Sequence, residues 1–399
     1  MEKKVPEIRF KGFDGEWTSA TLGDCFVERI ERSADGELLS VTINSGIVLA
    51  SETGRTDNSS NDKSNYKVVK KGDLAYNSMR MWQGACGHSE YDGIVSPAYT
   101  VVTPKDGCNV EYFHYSFKNN DTLYKFRVNS QGLTSDTWNL KYPLFSEIDC
   151  KYPSDEGEQK KIASLFKTLD RLIRSLELKL EKLKNIKQSL LNQMFINGNG
   201  GGYEPLIRFK KYNDEWEVDV LGNISDKYFV SNQNVHHQNL LSLSYGKIKR
   251  KDIKSDKGLR PGSYDTYQLV KDGIIVMRFT DLQNDKKSLR VGLAKEEGIV
   301  SPAYTCISIK DNATPDFMYY YLHYYDSVQK QFYKMGDGMR QTLSYKDIES
   351  LQIFLPHKEE QEQITFAFNK VDYIISETDT KLAKIRSFKQ SLLQKMFVN

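Results

Sequence analysis

The chain has 399 residues, is 39% hydrophobic and 27% charged, and carries a formal net charge of +3, enough to fold two or three domains and too near neutral to imply a uniformly basic surface. No apolar run is long enough to predict a membrane span, and the opening MEKKVPEIRFKGFDGEW lacks the apolar core of a secretory signal. Five scattered cysteines without a CxxC pair fit reduced thiols, so a cytoplasmic protein without a membrane partner is expected.

Residues 8–24, IRFKGFDGEWTSATLGD, predict a short strand and turn. The next stretch is of mixed character, with strand-like runs LLSVTI, YKVV and IVSPAYTVV bounded by turn residues. A helical patch covers 110–126. A Pro-led polar segment follows at 153–156, where Ser154 or Asp155 is a candidate N-cap. It opens a long helix over 158–195. There Ile162, Leu169, Leu176, Leu183 and Leu190 recur every seventh residue, and Phe166, Ile173, Leu180, Lys187 and Met194 stand four further on. All but Lys187 are apolar, the pattern of a coiled-coil seam on a rod of about 57 Å. Between residues 158 and 187 this helix has nine Lys or Arg, Arg171 and Arg174 among them, against four acids. Such charges read first as a solvated face, and second as a surface for a partner or a DNA backbone.

After a glycine-rich link, INGNGGG, the chain is written again. IRFKKYNDEWEVDVLGN opens the second copy, YQLV and GIIVMRF follow, GIVSPAYT returns unchanged at 298–305, and a helical patch covers 315–333. The second long helix, 360–397, carries Ile364, Val371, Thr378, Ile385 and Leu392, beside Phe368, Ile375, Leu382, Lys389 and Met396. Thr378 is its weak point. The expected class is therefore α+β. Two similar α+β domains, residues 1–155 and 198–357, are separated by two long helices, 156–197 and 358–399, with an internal pseudo-twofold repeat. Equal rods with a whole domain between them favour an antiparallel intramolecular coiled coil; packing of each helix on its own domain, or dimerisation between chains, are the alternatives.

No catalytic constellation is visible. Ser96-Pro97-Ala98-Tyr99 and Ser301-Pro302-Ala303-Tyr304 invite comparison with an amino-methyltransferase loop but lack its second proline, and no F-x-G-x-G loop follows a strand. Asp155, Glu158 and Lys160 have the wrong spacing for a metal-dependent nuclease, no phosphate-binding G-x-x-x-x-G-K-[ST] is present, and Cys86-x-His88 has no second pair for a metal. No cofactor and no metal are expected. The copies agree in their framing blocks and differ in their loops. In the first, Arg55, Lys63, Asn77, Arg80, Trp82, Gln83, Ser130, Gln131, Thr134, Ser135 and Thr137 stand out. In the second, Arg260, Tyr264, Arg278, Thr280, Gln283, Asn284, Lys286, Arg290, Arg340, Gln341, Ser344 and Tyr345 do. Each alone fits an ordinary polar loop. Together, Arg, Lys, Asn, Gln, Ser and Thr at the tips of a twice-used scaffold have the chemistry that reads base edges and holds phosphates, so these are the candidate DNA-binding residues.

The twofold I-R-F…E-W…L-G opening, the twofold IVSPAY, the run LSYKDIESLQIFLP into EQ-x-x-I, and the helix ending FKQSLLQKMF resemble the DNA-specificity subunit of type I restriction–modification systems. The first copy of that run, GLTSDTWNLKYPLF, is less regular. The resemblance implies two target-recognition domains, each binding half of a bipartite double-stranded DNA target, with the helices as a ruler for half-sites roughly 34 Å apart. It implies docking of two methyltransferase (modification) subunits on the helices, with restriction (translocase–nuclease) subunits joining through them. Adenine methylation and cleavage, with S-adenosylmethionine, ATP and Mg, are then the work of partners, and this chain is not itself an enzyme. The alternative is a coiled-coil DNA-binding scaffold or repressor without enzyme partners.

Overall fold

A computed structural model of the chain describes residues 4–43, 46–54, 59–196, 204–233, 235–252, 263–279, 290–324 and 343–398. The chain divides into two compact units, Met1–Glu177 with Asp379–Asn399, and Leu178–Thr378. Each long helix is thus cut near its middle rather than at its start.

In chain order the first copy contains β1 (Thr18–Thr21), α1 (Leu22–Cys25), β2 (Phe26–Glu28), β3 (Leu39–Thr42), β4 (Gly46–Leu49), β5 (Lys67–Val69), β6 (Leu74–Asn77), β7 (Cys86–His88), β8 (Gly93–Val95) and β9 (Tyr99–Pro104). Then come α2 (Val110–Ser116), α3 (Asn120–Val128), α4 (Tyr142–Ser146), β10 (Asp149–Tyr152) and the long α5 (Glu156–Met194). The second copy supplies β11 (Glu217–Val220), α6 (Leu221–Ile224), β12 (Ser225–Tyr228), β13 (Leu241–Ser244), β14 (Lys247–Arg250), β15 (Gln268–Val270), β16 (Ile275–Arg278), β17 (Val291–Leu293), β18 (Gly298–Val300) and β19 (Tyr304–Ile309). It ends with α7 (Pro315–Tyr324), α8 (Tyr345–Ile348), β20 (Gln352–Leu355) and the long α9 (Lys358–Lys395).

Among the described residues all paired strands are antiparallel. In the first unit the order is β2-β9-β6-β7, with ribbons β1-β10, β3-β4 and β5-β8; in the second, β12-β19-β16-β17 with β11-β20, β13-β14 and β15-β18. The central strands look apolar throughout because both faces of their sheet are covered. Leu74, Tyr76 and Val102 face a core shared with the helices, while Ala75 and Val101 face a second core with Leu39, Ile47, Val69 and Val95. That alternation is the two-residue strand period. Ile275, Met277 and Ile307 against Val276 and Cys306 repeat it in the second unit. The first helical patch is broken at Asn119, whose Oδ1 caps α3 by accepting from Asp121 N at 2.9 Å while its Nδ2 donates to Leu393 O at 2.7 Å.

The strand expected in each opening block is β1 or β11, and the I-R-F residues lie ahead of it outside any strand. Their hydrogen bonds go to helices instead: Ile8 N donates to Lys395 O at 2.9 Å, and Ile207 N to Gln193 O at 2.9 Å. Arg9 grips the buried Glu158 carboxylate with Nε and Nη2 at 2.8 and 2.7 Å, and Arg208 does the same to Glu360 at 2.8 and 2.9 Å. The glutamine that follows closes the clasp. Gln159 Nε2 donates to Gly107 O and Pro153 O at 2.9 and 2.7 Å, and Gln361 Nε2 to Asn312 O and Pro356 O at 3.1 and 2.9 Å. Asp155 is the cap of α5, its Oδ1 accepting from Gly157 N and Glu158 N at 2.6 and 3.2 Å.

Within each unit the helix segments run antiparallel. In the first, Asp170 meets Lys389, Glu177 meets Arg386, and Phe166 stacks on Phe397 at 5.6 Å. Ile162, Leu169 and Leu392 are buried there with Leu176, and Ile385 packs against the same core. In the second, Lys187 meets Asp372 and Phe195 stacks on Phe368 at 5.9 Å. Ile364 is buried, while Leu183, Leu190 and Val371 are half-buried. Thr378 is tolerated in the seam because its hydroxyl donates to Ile374 O at 2.7 Å. The two lysines that break the apolar rows are ion-pair partners, Lys187 buried and Lys389 half-buried. Lys389 pairs with Asp170 over the Tyr115 ring, and Lys187 with Asp372 over the Tyr320 ring, at 5.6 and 5.5 Å. Each tyrosine hydroxyl donates to the same carboxylate, at 2.9 and 2.8 Å. Burial lowers the Lys187 pKa and Asp372 opposes the shift.

Asp372→Ala should therefore cost about 2 kcal/mol. Breaking a fully buried pair costs about 3–5 kcal/mol, and the partial exposure of Asp372 screens it. The double change Lys187→Met, Asp372→Ala should recover most of the loss. An undiminished unfolding midpoint for the single variant would contradict this role.

Candidate nucleic-acid interface

The β6–β7 connection begins at Asn77, opposite Tyr99 in the sheet register. Asn77 Oδ1 accepts from Met79 N at 3.0 Å, which turns the chain. A short 3-10 turn, Met81–Gln83, buries Met81 and ends at Gly84, whose φ of 80° favours glycine. Ser78 is buried and shares a hydrogen bond with the Thr100 hydroxyl at 2.9 Å. Its N–H donates to Ala98 O at 3.3 Å and its carbonyl accepts from Leu140 N at 2.8 Å. This one residue thus ties together the β6–β7 connection, the S-P-A-Y turn and the loop after α3. The S-P-A-Y segments are turns joining β8 to β9 and β18 to β19, with Ser96 and Ser301 Oγ accepting from Ala98 and Ala303 N at 3.4 and 3.3 Å.

Trp82 packs edge-on to Trp138 at 5.2 Å, and the Arg127 guanidinium lies 5.3 Å from the Trp138 ring. Asn77, Arg80 and Gln83 line a cleft of about 730 Å³ together with Thr42, Thr53 and Arg174 of α5. The sequence points to the first three for this site, and it places Arg174 on a charged helix face that reads first as solvated and second as a surface for a partner or a DNA backbone. Arg127, Thr42 and Thr53 it missed, since nothing local to α3, β3 or the turn after β4 marks them. Exposed Gln131, Thr134 and Ser135 sit on the neighbouring loop, and half-buried Lys63 lies before β5.

Some of the candidates are committed to holding loops in shape. Ser130 Oγ donates to Phe126 O at 2.7 Å, and Thr137 Oγ1 to Thr134 O at 2.9 Å. In the second unit Arg290 is only 2% exposed, so it is an interior side chain and not a surface contact. Ser344 caps α8 in a capping box with Asp347, Oγ to Oδ2 at 2.6 Å. Tyr345 OH donates to Ser225 O at 3.0 Å and its ring packs against the core. Arg290 is thus corrected from a reading residue to an interior one, while exposed Ser344 and half-buried Tyr345 also brace the fold. Tyr264 is half-buried, edge-on to Tyr267 at 4.9 Å, and Arg278 ends β16 opposite Tyr304. Arg55, Arg260, Thr280, Gln283, Asn284, Lys286, Arg340 and Gln341 lie outside the described residues.

His88, Glu90 and Glu111 come within ligand distance of one another. Lys167 already bridges the two carboxylates at 3.2 and 2.7 Å, and its ammonium holds the Glu90 carboxyl below its usual range. Cys86 belongs to the buried core and is not part of this group.

Residues 213–387 match the family model of the type I restriction modification DNA specificity domain. The match falls on the second copy and its long helix. It is 25% identical over 253 residues to the putative type I restriction enzyme MjaX specificity subunit of Methanocaldococcus jannaschii, covering 59% of this chain and 55% of the relative. The chain thus spans about half the length of the curated relative that it matches. A crystal structure of the type I restriction–modification S subunit from M. genitalium is similar over 99% of both chains, with a TM-score of 0.60 and 14% identity. A chain from a study of complex assembly and conformational transition of the type I R-M system is similar over 96% of this chain and 98% of its own, with a TM-score of 0.51 and 15% identity. At such identities the likeness is one of fold.

In this specificity-subunit fold the helices carry exposed apolar side chains at equivalent repeat positions. Leu172 and Phe388 are exposed in the first unit, and Ile374 and Ile186 in the second. Among the described residues no helix is long and apolar enough to cross a membrane.

Proposed function

We propose that the chain reads double-stranded DNA for a type I restriction–modification complex, each specificity domain taking one half of a bipartite target. The observation that carries this is one scaffold used twice with different reading tips. Sheet order, clasp and helix pairing recur in both units. The segments after β6 and β16, NSMRMWQ and RFTDLQN, do not. Side chains of the first tip open into a cleft that mixes amides with guanidinium groups, the chemistry of base edges and phosphates.

On this reading the chain is a non-catalytic cytoplasmic subunit without cofactor of its own. Adenine methylation and cleavage, with S-adenosylmethionine, ATP and Mg, are carried out by partner subunits. The repeated exposed pairs Leu172–Phe388 and Ile374–Ile186 support docking of a partner that binds twice, as two methyltransferase subunits would, with restriction subunits joining through them.

Methylome sequencing with and without the gene tests this. Loss of adenine methylation at one split motif is expected on deletion. Exchanging residues 38–138 for those of a relative should change one half of that motif only. Methylation unaffected by deletion, or a change in both halves, would overturn the reading.

A further inference from the structure

We propose that Arg174, on the long helix α5, holds a DNA phosphate beside the half-site read by the first domain, so that the helix is part of the DNA-binding surface. This rests on the DNA-reading function proposed above and adds a contact to it. Arg174 is exposed and lines the cleft that also presents Asn77, Arg80 and Gln83, where Glu52 is the only carboxylate among the described lining residues. It also lines the adjoining cleft of about 800 Å³, which shares Gln83.

The charges around Arg174 explain why it is available. Its neighbours along the helix face, Asp170 and Glu177, would ordinarily compete for the guanidinium at helical spacing. Both are already paired across the helix seam, Asp170 with Lys389 and Glu177 with Arg386. Among the described residues Arg174 has no ion pair of its own. A guanidinium presents a planar fork that fits two phosphate oxygens, and one placed beside amide side chains matches a site that reads bases next to a backbone. The seam repeats from Ile162 to Ile364, and by the same step Arg174 becomes Ser376. The second domain therefore lacks this cation, and the contact belongs to one half-site.

The test uses the full chain with a co-purifying methyltransferase subunit, and two fluorescein-labelled duplexes: the motif found methylated in the host, and its scrambled sequence. Affinity is measured against salt concentration. Arg174→Gln should lower the slope of log K on log salt by about 0.9 on both duplexes, and Arg174→Lys should restore it. With the unaltered chain, a single neutral methylphosphonate placed along the backbone should weaken binding at one phosphate beside the first half-site, and Arg174→Gln should be insensitive to that substitution. An unchanged slope, a loss confined to the methylated motif, or additive effects of the neutral linkage and Arg174→Gln would each overturn the assignment. Failure of the unaltered complex to bind either duplex would instead overturn the DNA-reading function itself.

Discussion

Arg9→Gln should destabilise the first unit by about 3 kcal/mol, and Arg208→Gln the second by a similar amount. The carboxylates they hold, Glu158 and Glu360, are 1% and 0% exposed. Water cannot replace a removed guanidinium there, so each variant leaves a buried charge with its main partner gone. The loss should exceed that of a surface pair, about 0–1 kcal/mol. The Arg9 side chain is itself largely covered, and its Nη1 donates to Gly15 O at 2.6 Å, which holds the opening turn in place. Three of the four tryptophans, Trp17, Trp82 and Trp138, lie in the first unit and Trp216 in the second. Tryptophan fluorescence in urea therefore follows mainly the first unit, which matters because a two-unit chain need not unfold in one step. Arg9→Gln should shift the major transition and leave the smaller one near its place. Adding Glu158→Gln to Arg9→Gln should recover part of the loss, since the buried charge is then removed. If the single variant unfolds like the parent chain, the clasp carries no stability.

Phe397→Ala should cost the first unit about 3–5 kcal/mol, the range for emptying an aromatic site in a packed core. Phe397 is 3% exposed and lies against Phe166 and Tyr112, at 5.6 and 5.4 Å between ring centroids. It comes from the far end of the sequence, yet it completes the core built around Trp17, Phe113 and Phe145. Phe195 holds the same place in the second unit, among Phe317, Tyr321 and Phe368 at 5.5, 5.7 and 5.9 Å. The functional consequence should be one-sided: Phe397→Ala weakens reading of one half-site and Phe195→Ala the other. Competition binding with duplexes altered in one half at a time would show this, and equal loss on both halves for either variant would contradict it.

Much of the architecture could be read before any coordinates. The seven-residue seam from Ile162 to Leu190 and its copy from Ile364 to Leu392 are local periodicities, and a long helix follows from them whatever surrounds it. The repeated IVSPAY and I-R-F blocks likewise showed that one domain is used twice. The candidate site was only partly legible. Arg80 and Gln83 do face a cleft, but Arg290 is interior, Tyr345 braces a strand and Ser344 caps a helix. An arginine or serine in a loop has the same letters whether it faces solvent or its own backbone, and burial is decided by residues far away in the chain.

The sequence by itself determined the helices and the duplicated α+β class, because the seam is a spacing of a few turns and the two copies share the same letters in the same order. Only the tertiary structure decided what the clasp and the lysines are for. Arg9 finds Glu158 and Lys187 finds Asp372 across 149 and 185 residues, and Met194 and Phe195 of the first helix complete the core of the second unit. No local signal announces such pairings, since they form only when burial removes water from both partners at once.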